Sequence, residues 1–436
     1  MAYIEIHNIG PLRDIKLYIN KINLFIGPQS SGKSTIAKIT SFCLWLEKDV
    51  LIHQDYQYID SDFIELNLLQ FHKLKNYIQP DSSIKFEGEA IFFEYSPSHY
   101  HITRAEGFTK AQVSKIAYIP AERNVISLPG IPSLPFPFNN IRSFIFDWLN
   151  MHSKYDKENA IPMLDLKMKY YYQESTKKDL LVLENGKEIG LDEASSGMQS
   201  VVPLYVYLNY LTHWIYQNST DISFEKKSIL EQALNKIVLS HTVPQEVLRE
   251  PGMDALFKSK EITAQTRNLF DSIHAVEKER ILDDDKLRSL LNIESNITKV
   301  HYSNIIIEEP ELNLFPQTQI TLIYDIMKLI NKQRDNLVIT THSPYILYAL
   351  NNCMLGSLVK NNIPEEDEEL QAMSASWIHP TNVSVWEIKD GMFYSPFNNP
   401  NQTIQDAEGL IRNNYFDRIM KGVMSDFNSL ISYYNE

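Results

Sequence analysis

The stretch Gly27-Pro28-Gln29-Ser30-Ser31-Gly32-Lys33-Ser34 constrains this chain more than any other. It fits the pattern G-x-x-x-x-G-K-[ST], and both of its flanks suit that pattern. Ile22 to Ile26 reads as a short buried strand, and Thr35 to Leu46 reads as an apolar helix. A glycine loop between a strand and a helix turns successive backbone N–H groups toward an anion. The helix N-terminus adds partial positive charge. The spacing predicts a triphosphate cradle running from Gly27 to Thr35. In it Lys33 reaches the outer phosphates of ATP, and the Ser34 hydroxyl binds Mg²⁺.

Composition sets outer bounds. A chain of 436 residues is long enough for two or three lobes around a large core. Lys and Arg number 41 against 55 Asp and Glu, a net charge of −14. That balance offers no global attraction to nucleic acid, so direct binding of DNA or RNA is not expected. Cys43 and Cys353 have no metal-ligand spacing and fit buried, reduced thiols of a cytoplasmic protein. The start, Met1-Ala2-Tyr3-Ile4-Glu5, does not read as a signal peptide, and no apolar run reaches membrane-spanning length. No membrane partner is expected.

Tyr3–Ile9 and Ile15–Ile19 alternate in polarity about a turn at Gly10-Pro11, which predicts two strands. Arg13, in their connection, either approaches the nucleotide or is a solvated loop residue. Residues 47–80 read as helical. Ile84 to Tyr95 reads as two strands broken at Gly88, with His101–Thr103 as a third. Ile116–Ile119 is a short buried strand. The charged Glu122-Arg123 that follows it either faces a ligand or forms a structural ion pair. Pro129, Pro132, Pro135 and Pro137 exclude helix and central strand and close a first lobe, residues 1–135.

A more helical lobe is expected over residues 136–216. Helices are predicted at Ile141–Leu149, Pro162–Glu174 and Val201–Ile215, with a hairpin about Asn185-Gly186. Asp192-Glu193-Ala194-Ser195-Ser196-Gly197-Met198 opens the last of these helices. Small hydroxyl residues and a glycine at a helix start can bind an anion or simply cap the helix. Residues 217–300 read as a charged helical insertion without a sustained heptad seam, a candidate surface for a partner. Residues 301–436 return to the core, with a hairpin at Asp390-Gly391 and a helical pattern from Ile404 to Leu430.

Two further motifs lie in that last segment. Ile305-Ile306-Ile307-Glu308-Glu309-Pro310-Glu311 is a buried strand delivering two carboxylates at its end. Glu308 is assigned to the Mg²⁺ shell and Glu309 to the attacking water. Leu337–Ile339 is another buried strand, and it ends in Thr340-Thr341-His342-Ser343-Pro344. A histidine there can contact a γ-phosphate.

The order and content of these motifs resemble the ABC-type ATPases of the SMC/RecF branch. In that resemblance Gly27–Ser34 is the Walker A loop, Ala194–Met198 the signature, Ile305–Glu309 the Walker B strand and His342 the switch histidine. The resemblance implies an α/β fold: an ATPase head with a mixed sheet, a phosphate-loop core, an antiparallel β subdomain and a helical lobe, without a long coiled coil. It implies slow or partner-regulated ATP hydrolysis at sites shared between two copies. Ser195 and the Gly197 N–H of one head would complete the γ-phosphate shell of the other. Within the branch, Tyr118-Ile119-Pro120-Ala121-Glu122-Arg123 and Glu308-Glu309-Pro310-Glu311 resemble the small AAA-type ATPases related to overcoming-lysogeny proteins. Those include ATPase subunits of anti-phage systems such as Septu, PARIS and some retrons. The resemblance therefore implies a homodimer or higher homo-oligomer acting as sensor and scaffold for a separate effector, such as a nuclease. A RecF-like head that clamps DNA directly and an ATP-bound scaffold that does not hydrolyse are the alternatives.

The sequence departs from the family in places. Glu308 stands where the usual Walker B residue is the shorter aspartate, and Phe315 lies where the transporter branch has an aspartate nearby. No glutamine takes the glutamine-loop role, and Glu122 or Arg123 could substitute. The TOPRIM nuclease domain of the overcoming-lysogeny proteins has no counterpart pattern in residues 343–436.

Overall fold

A computed structural model describes residues 2–131, 134–217, 295–296, 299–331, 334–397 and 403–434. The insertion expected over 217–300, with its partner surface, lies almost wholly outside the described residues.

The chain opens with β1 (Tyr3–Ile9), β2 (Leu12–Tyr18) and β3 (Ile22–Ile26), and then α1 (Lys33–His53). An antiparallel meander follows, β4 (Ile78–Glu87), β5 (Ile91–Ser96) and β6 (His99–Arg104), and then β7 (Ser114–Ile119) at the opposite edge of the same sheet. Helix α2 (Asn140–Met151) precedes four short strands: β8 (Ile161–Pro162), β9 (Lys169–Gln173), β10 (Lys178–Val182) and β11 (Glu188–Gly190). Then come α3 (Ser196–Thr212), β12 (Tyr302–Glu308), α4 (Pro316–Asn331), β13 (Asn336–Thr340) and α5 (Pro344–Val359). The hairpin β14 (Val383–Lys389) and β15 (Met392–Tyr394) precedes α6 (Tyr415–Tyr434).

Eleven strands form one mixed sheet in the order β6-β5-β4-β1-β2-β15-β14-β3-β13-β12-β7. From β14 to β7 neighbouring strands are parallel, and from β2 to β6 they are antiparallel. The parallel strands read as continuous apolar runs because both of their faces are covered. Alternation along β12 shows this: Ile305 and Ile307 enter one core and Ile306 the other. The first core packs α2 to α5, and the second packs α1 and the antiparallel half.

The mixed sheet and its antiparallel half agree with expectation. Three local readings need correction. Pro162–Glu174 is not a helix: Leu164 and Lys167 turn the chain with φ of 50° and 51°, and Lys169–Gln173 is a strand. Its tyrosines favour a pleated surface, and Tyr170 and Tyr171 are buried there. The lobe at 136–216 is therefore a four-stranded sheet, β11-β10-β9-β8, flanked by helices. The last helix begins at Tyr415 rather than Ile404. Residues 47–80 are helical only in part, since α1 ends at His53 and β4 begins at Ile78.

Candidate functional site

Three neighbouring parallel strands, β3, β13 and β12, end side by side, and each delivers a motif at its carboxyl end. Ligand sites in such sheets lie outside that edge. The loop after β3 is built by its glycines. Gly27 has φ of 148°, and a Cβ there would stand 2.7 Å from the Ile388 carbonyl oxygen. Gly32 has φ of 103° and caps α1. A non-glycine residue in either conformation is strained.

A cleft of about 430 Å³ opens over this loop. Gln29, Ser30, Ser31, Gly32, Lys33, Ser34 and Thr35 line it on one side, with Glu309 and His342 across from them. Gly27 and Pro28 contribute from behind: the Lys33 ammonium donates to their carbonyl oxygens at 3.0 and 2.8 Å. Burial pushes the Lys33 ammonium down to about 8, while Glu309 and Glu311 favour its charged form. The Ser31 hydroxyl is buried without a partner, so the loop holds a polar atom suited to an incoming oxygen.

Glu309 sits at φ of 45°, a left-handed conformation that turns its side chain out of the strand direction and into the cleft. Its N–H donates to the Thr340 carbonyl at 2.9 Å, tying the ends of β12 and β13 together. His342 Nε2 lies 3.7 Å from Glu309 Oε1. Burial, and then the Lys33 charge, lower the His342 pKa, so the imidazole is neutral near pH 7. The His342 backbone N–H donates to Glu311 Oε1 at 2.6 Å. Glu311 is held high by burial, and its other oxygen has no partner.

Six expected site residues do not line this cleft: Gly27 and Pro28, which stand behind the loop, and Arg13, Glu308, Ser195 and Gly197. Arg13 lies in β2, not in a connecting loop, and its backbone N–H pairs with the Gly391 carbonyl. Its side chain faces solvent because it occupies the exposed register of that strand. Glu308 is the last residue of β12, one step before Glu309, and points into a separate cavity of about 40 Å³ with Lys38, His72 and Asn140. The buried Tyr118 hydroxyl faces it there. Ser195 caps α3 by accepting from the Met198 N–H. Gly197 packs on the loop after Glu309, where a Cβ would meet the Asn313 carbonyl oxygen at 2.9 Å. Asn313 also donates to the Ser200 hydroxyl at 3.1 Å, so the signature-like stretch and that loop form one surface.

Arg123 proves structural and makes no ion pair with Glu122. It is fully buried and donates to the carbonyls of Ser200, Glu308 and Glu309 at 3.0, 2.9 and 2.8 Å, with longer bonds to those of Pro120 and Pro310. Gly10, Pro11 and Tyr77 also line the cleft, and sequence reasoning missed them. Tyr77 closes a stretch read as helix, and only its contact with Gly10 brings it to the loop.

Mg²⁺ bound with a triphosphate needs few protein ligands. Ser34 lines the cleft, so that residue fits such an ion held mainly by phosphate oxygens, whereas Glu308 faces the neighbouring cavity. Among the described residues no cluster of three or more His, Cys, Asp or Glu would hold a metal unaided.

The sequence matches the AAA ATPase domain family over residues 256–347, a span containing Glu308, Glu309 and His342. No curated protein matches the chain. Among solved structures, the SMC head domain from Thermotoga maritima aligns at 8% identity and TM-score 0.35, covering 80% of this chain and 90% of that one. The recombination mediator RecF aligns at 12% identity and TM-score 0.26, covering 90% and 96%. An Smc head from Pyrococcus furiosus aligns at 10% identity and TM-score 0.28, covering 90% and 95%. The family match and the motif-bearing cleft support an ATPase domain in this chain. No described helix is long and apolar enough to cross a membrane.

Proposed function

We propose that this chain binds and hydrolyses ATP and works as a switch assembled from two or more copies. One observation carries the reading: Lys33, Ser34, Glu309 and His342 meet in a single cleft at the ends of three adjacent strands. The loop N–H groups and the Lys33 ammonium would hold the phosphates, and Mg²⁺ would screen their charge. Glu309 would orient and deprotonate water, and neutral His342 would report on the γ-phosphate. Tyr77 offers a partly exposed ring as a stacking face for the base.

Ser195 and Gly197 lie outside the cleft, on the surface shared with Asn313. That supports a site completed by a second copy, each supplying its signature-like surface to the other's phosphates. The family resemblance extends this to a sensor or scaffold role for a separate effector, in anti-phage defence. A second reading, an ATP-bound scaffold with little turnover, is favoured by Glu308 lining the neighbouring cavity instead of the cleft.

The test is ATP hydrolysis against protein concentration, with Glu309→Gln beside the wild type. Specific activity that rises with concentration and vanishes in the variant supports shared hydrolytic sites. Turnover independent of concentration refutes them. ATP retained without turnover by either protein selects the scaffold.

A further inference from the structure

Helix α6 (Tyr415–Tyr434) is unlike every other long helix described: none of its residues is buried. Its first turn is nevertheless clamped. Asp417 accepts from the Tyr348 hydroxyl at 2.6 Å, and Arg418 pairs with Glu387, a carboxylate only 1% exposed on β14. Tyr415 and Phe416 pack on the main core. Beyond that base the helix presents an apolar face that no other described residue covers, Met420 being 61% and Leu430 71% exposed.

The pattern on that face is regular. Phe416, Met420, Val423, Phe427, Leu430 and Tyr434 recur at spacings of four and three, the period of a coiled-coil seam. Ile419, Met424 and Ile431 widen the stripe, as in helices packed in pairs or bundles. We propose that α6 is a docking surface for a second copy of this chain and pairs antiparallel with its counterpart without nucleotide.

Three observations select that occupant. First, the seam is self-complementary when reversed. Turning a second helix end for end sets Met420 opposite Leu430 and Val423 opposite Phe427, with Ile419 opposite Ile431, and brings Tyr434 to the base where Phe416 packs on the core. The exposed seam positions from Ile419 to Ile431 pair apolar with apolar, as a two-fold isologous contact requires. Secondly, charge permits it. The whole chain carries −14, yet on α6 Asp417 and Asp426 offset Arg418 and Lys421. A 20-residue helix is ~30 Å long, so antiparallel pairing keeps the acidic bodies at opposite ends. Thirdly, the area suffices. At roughly 80 Å² for each apolar side chain covered, the eight exposed residues of the stripe supply roughly 640 Å² per copy, about 1,300 Å² in all and inside the ~1,200–2,000 Å² of a standard interface. The partner's helix tip then reaches the base of α6, where Tyr345 and Tyr348 on α5 are exposed beside Asp417.

This contact is separate from the nucleotide cleft, so its test does not depend on hydrolysis. Light scattering on the nucleotide-free full chain at micromolar concentration should give a dimer. Val423→Asp with Phe427→Asp should give a monomer with unchanged helicity and unchanged affinity for a fluorescent ATP analogue. Lys33→Ala should lose the nucleotide and stay dimeric. A monomeric wild type, or a double variant that remains dimeric, overturns the proposal. Oxidative crosslinking fixes the direction: Val423→Cys mixed with Phe427→Cys should crosslink several-fold more than either alone. Crosslinking of Val423→Cys to itself as the main product overturns the antiparallel arrangement.

Discussion

The Arg123 guanidinium donates at 2.8 Å to the carbonyl oxygen of Glu309, the residue whose carboxylate faces the phosphate loop. The same side chain binds the carbonyls of Glu308 and Ser200, so one buried cation joins the end of β12 to the start of α3. Glu309 holds a left-handed φ of 45°, which must be supported by its surroundings. Arg123 is that support, and the charge that a ligand-facing reading assigned to the cleft is used on backbone oxygens.

Replacing Arg123 by Lys keeps the charge and loses the fork that reaches several carbonyls at once. Buried carbonyls left unpaired cost ~1–3 kcal/mol each. Arg123→Lys should therefore destabilise the fold by about 3 kcal/mol and lower ATP turnover more than ATP affinity. Thermal denaturation and steady-state kinetics on the same samples check this. An unchanged melting temperature would contradict the bracing role.

Lys33 gives a pH dependence. Burial sets its folded pKa at about 8, so the ammonium that meets phosphate prevails below pH 8 and is lost above it. Affinity for a fluorescent ATP analogue should fall by about tenfold from pH 7 to pH 9, one unit beyond the pKa. Lys33→Arg, which stays charged throughout, should flatten the profile even if it binds more weakly overall.

Gly27 is required by its backbone and by its neighbour. With φ of 148° and Ile388 oxygen 2.7 Å from a Cβ, Gly27→Ala must shift the loop or β14. Nucleotide affinity should drop by more than tenfold, read by isothermal titration. Gly422→Ala is the control: nothing lies within 4 Å of its Cβ, on the exposed helix α6. It should gain about 0.5–1 kcal/mol of helix stability and leave the affinity unchanged.

What was legible in the sequence was local. Ile22–Ile26, the glycine loop and the following helix appear as read, because a strand, a turn and a helix in 25 or so residues need no distant partner. The strands ending at Glu308 and Thr340 were legible for the same reason. Contacts made across the chain were not. Arg123 meets Glu309 at a separation of 186 residues, and nothing near Arg123 in sequence distinguishes a carbonyl brace from a phosphate ligand. Tyr77 reaches the cleft only through Gly10. Residues 162–174 misled because apolar spacing there mimics a helical face, whereas tyrosines at 170–172 and two left-handed residues decide for a strand.

His72 makes the protein acid-sensitive. Its ring is buried, and burial followed by the Lys38 charge lowers its pKa from 6.5 to about 3. The unfolded chain therefore binds this proton first. The stabilisation is complete above pH 6.5 and is lost as pH falls from 6.5 toward 3, by up to ~1.4 kcal/mol per pH unit. Glu47 acts in the opposite sense: burial raises it from 4.5 to about 7, so the folded state holds a proton the unfolded chain has released, and stability grows as pH falls from 7 to 4.5. The wild-type slope is the difference of the two, and His72→Phe isolates one of them. Urea denaturation at pH 7.0 and pH 5.5 should show the variant gaining ~1 kcal/mol relative to wild type at the lower pH. An equal response of the two proteins would mean that His72 is protonated in the folded state as readily as in the unfolded one.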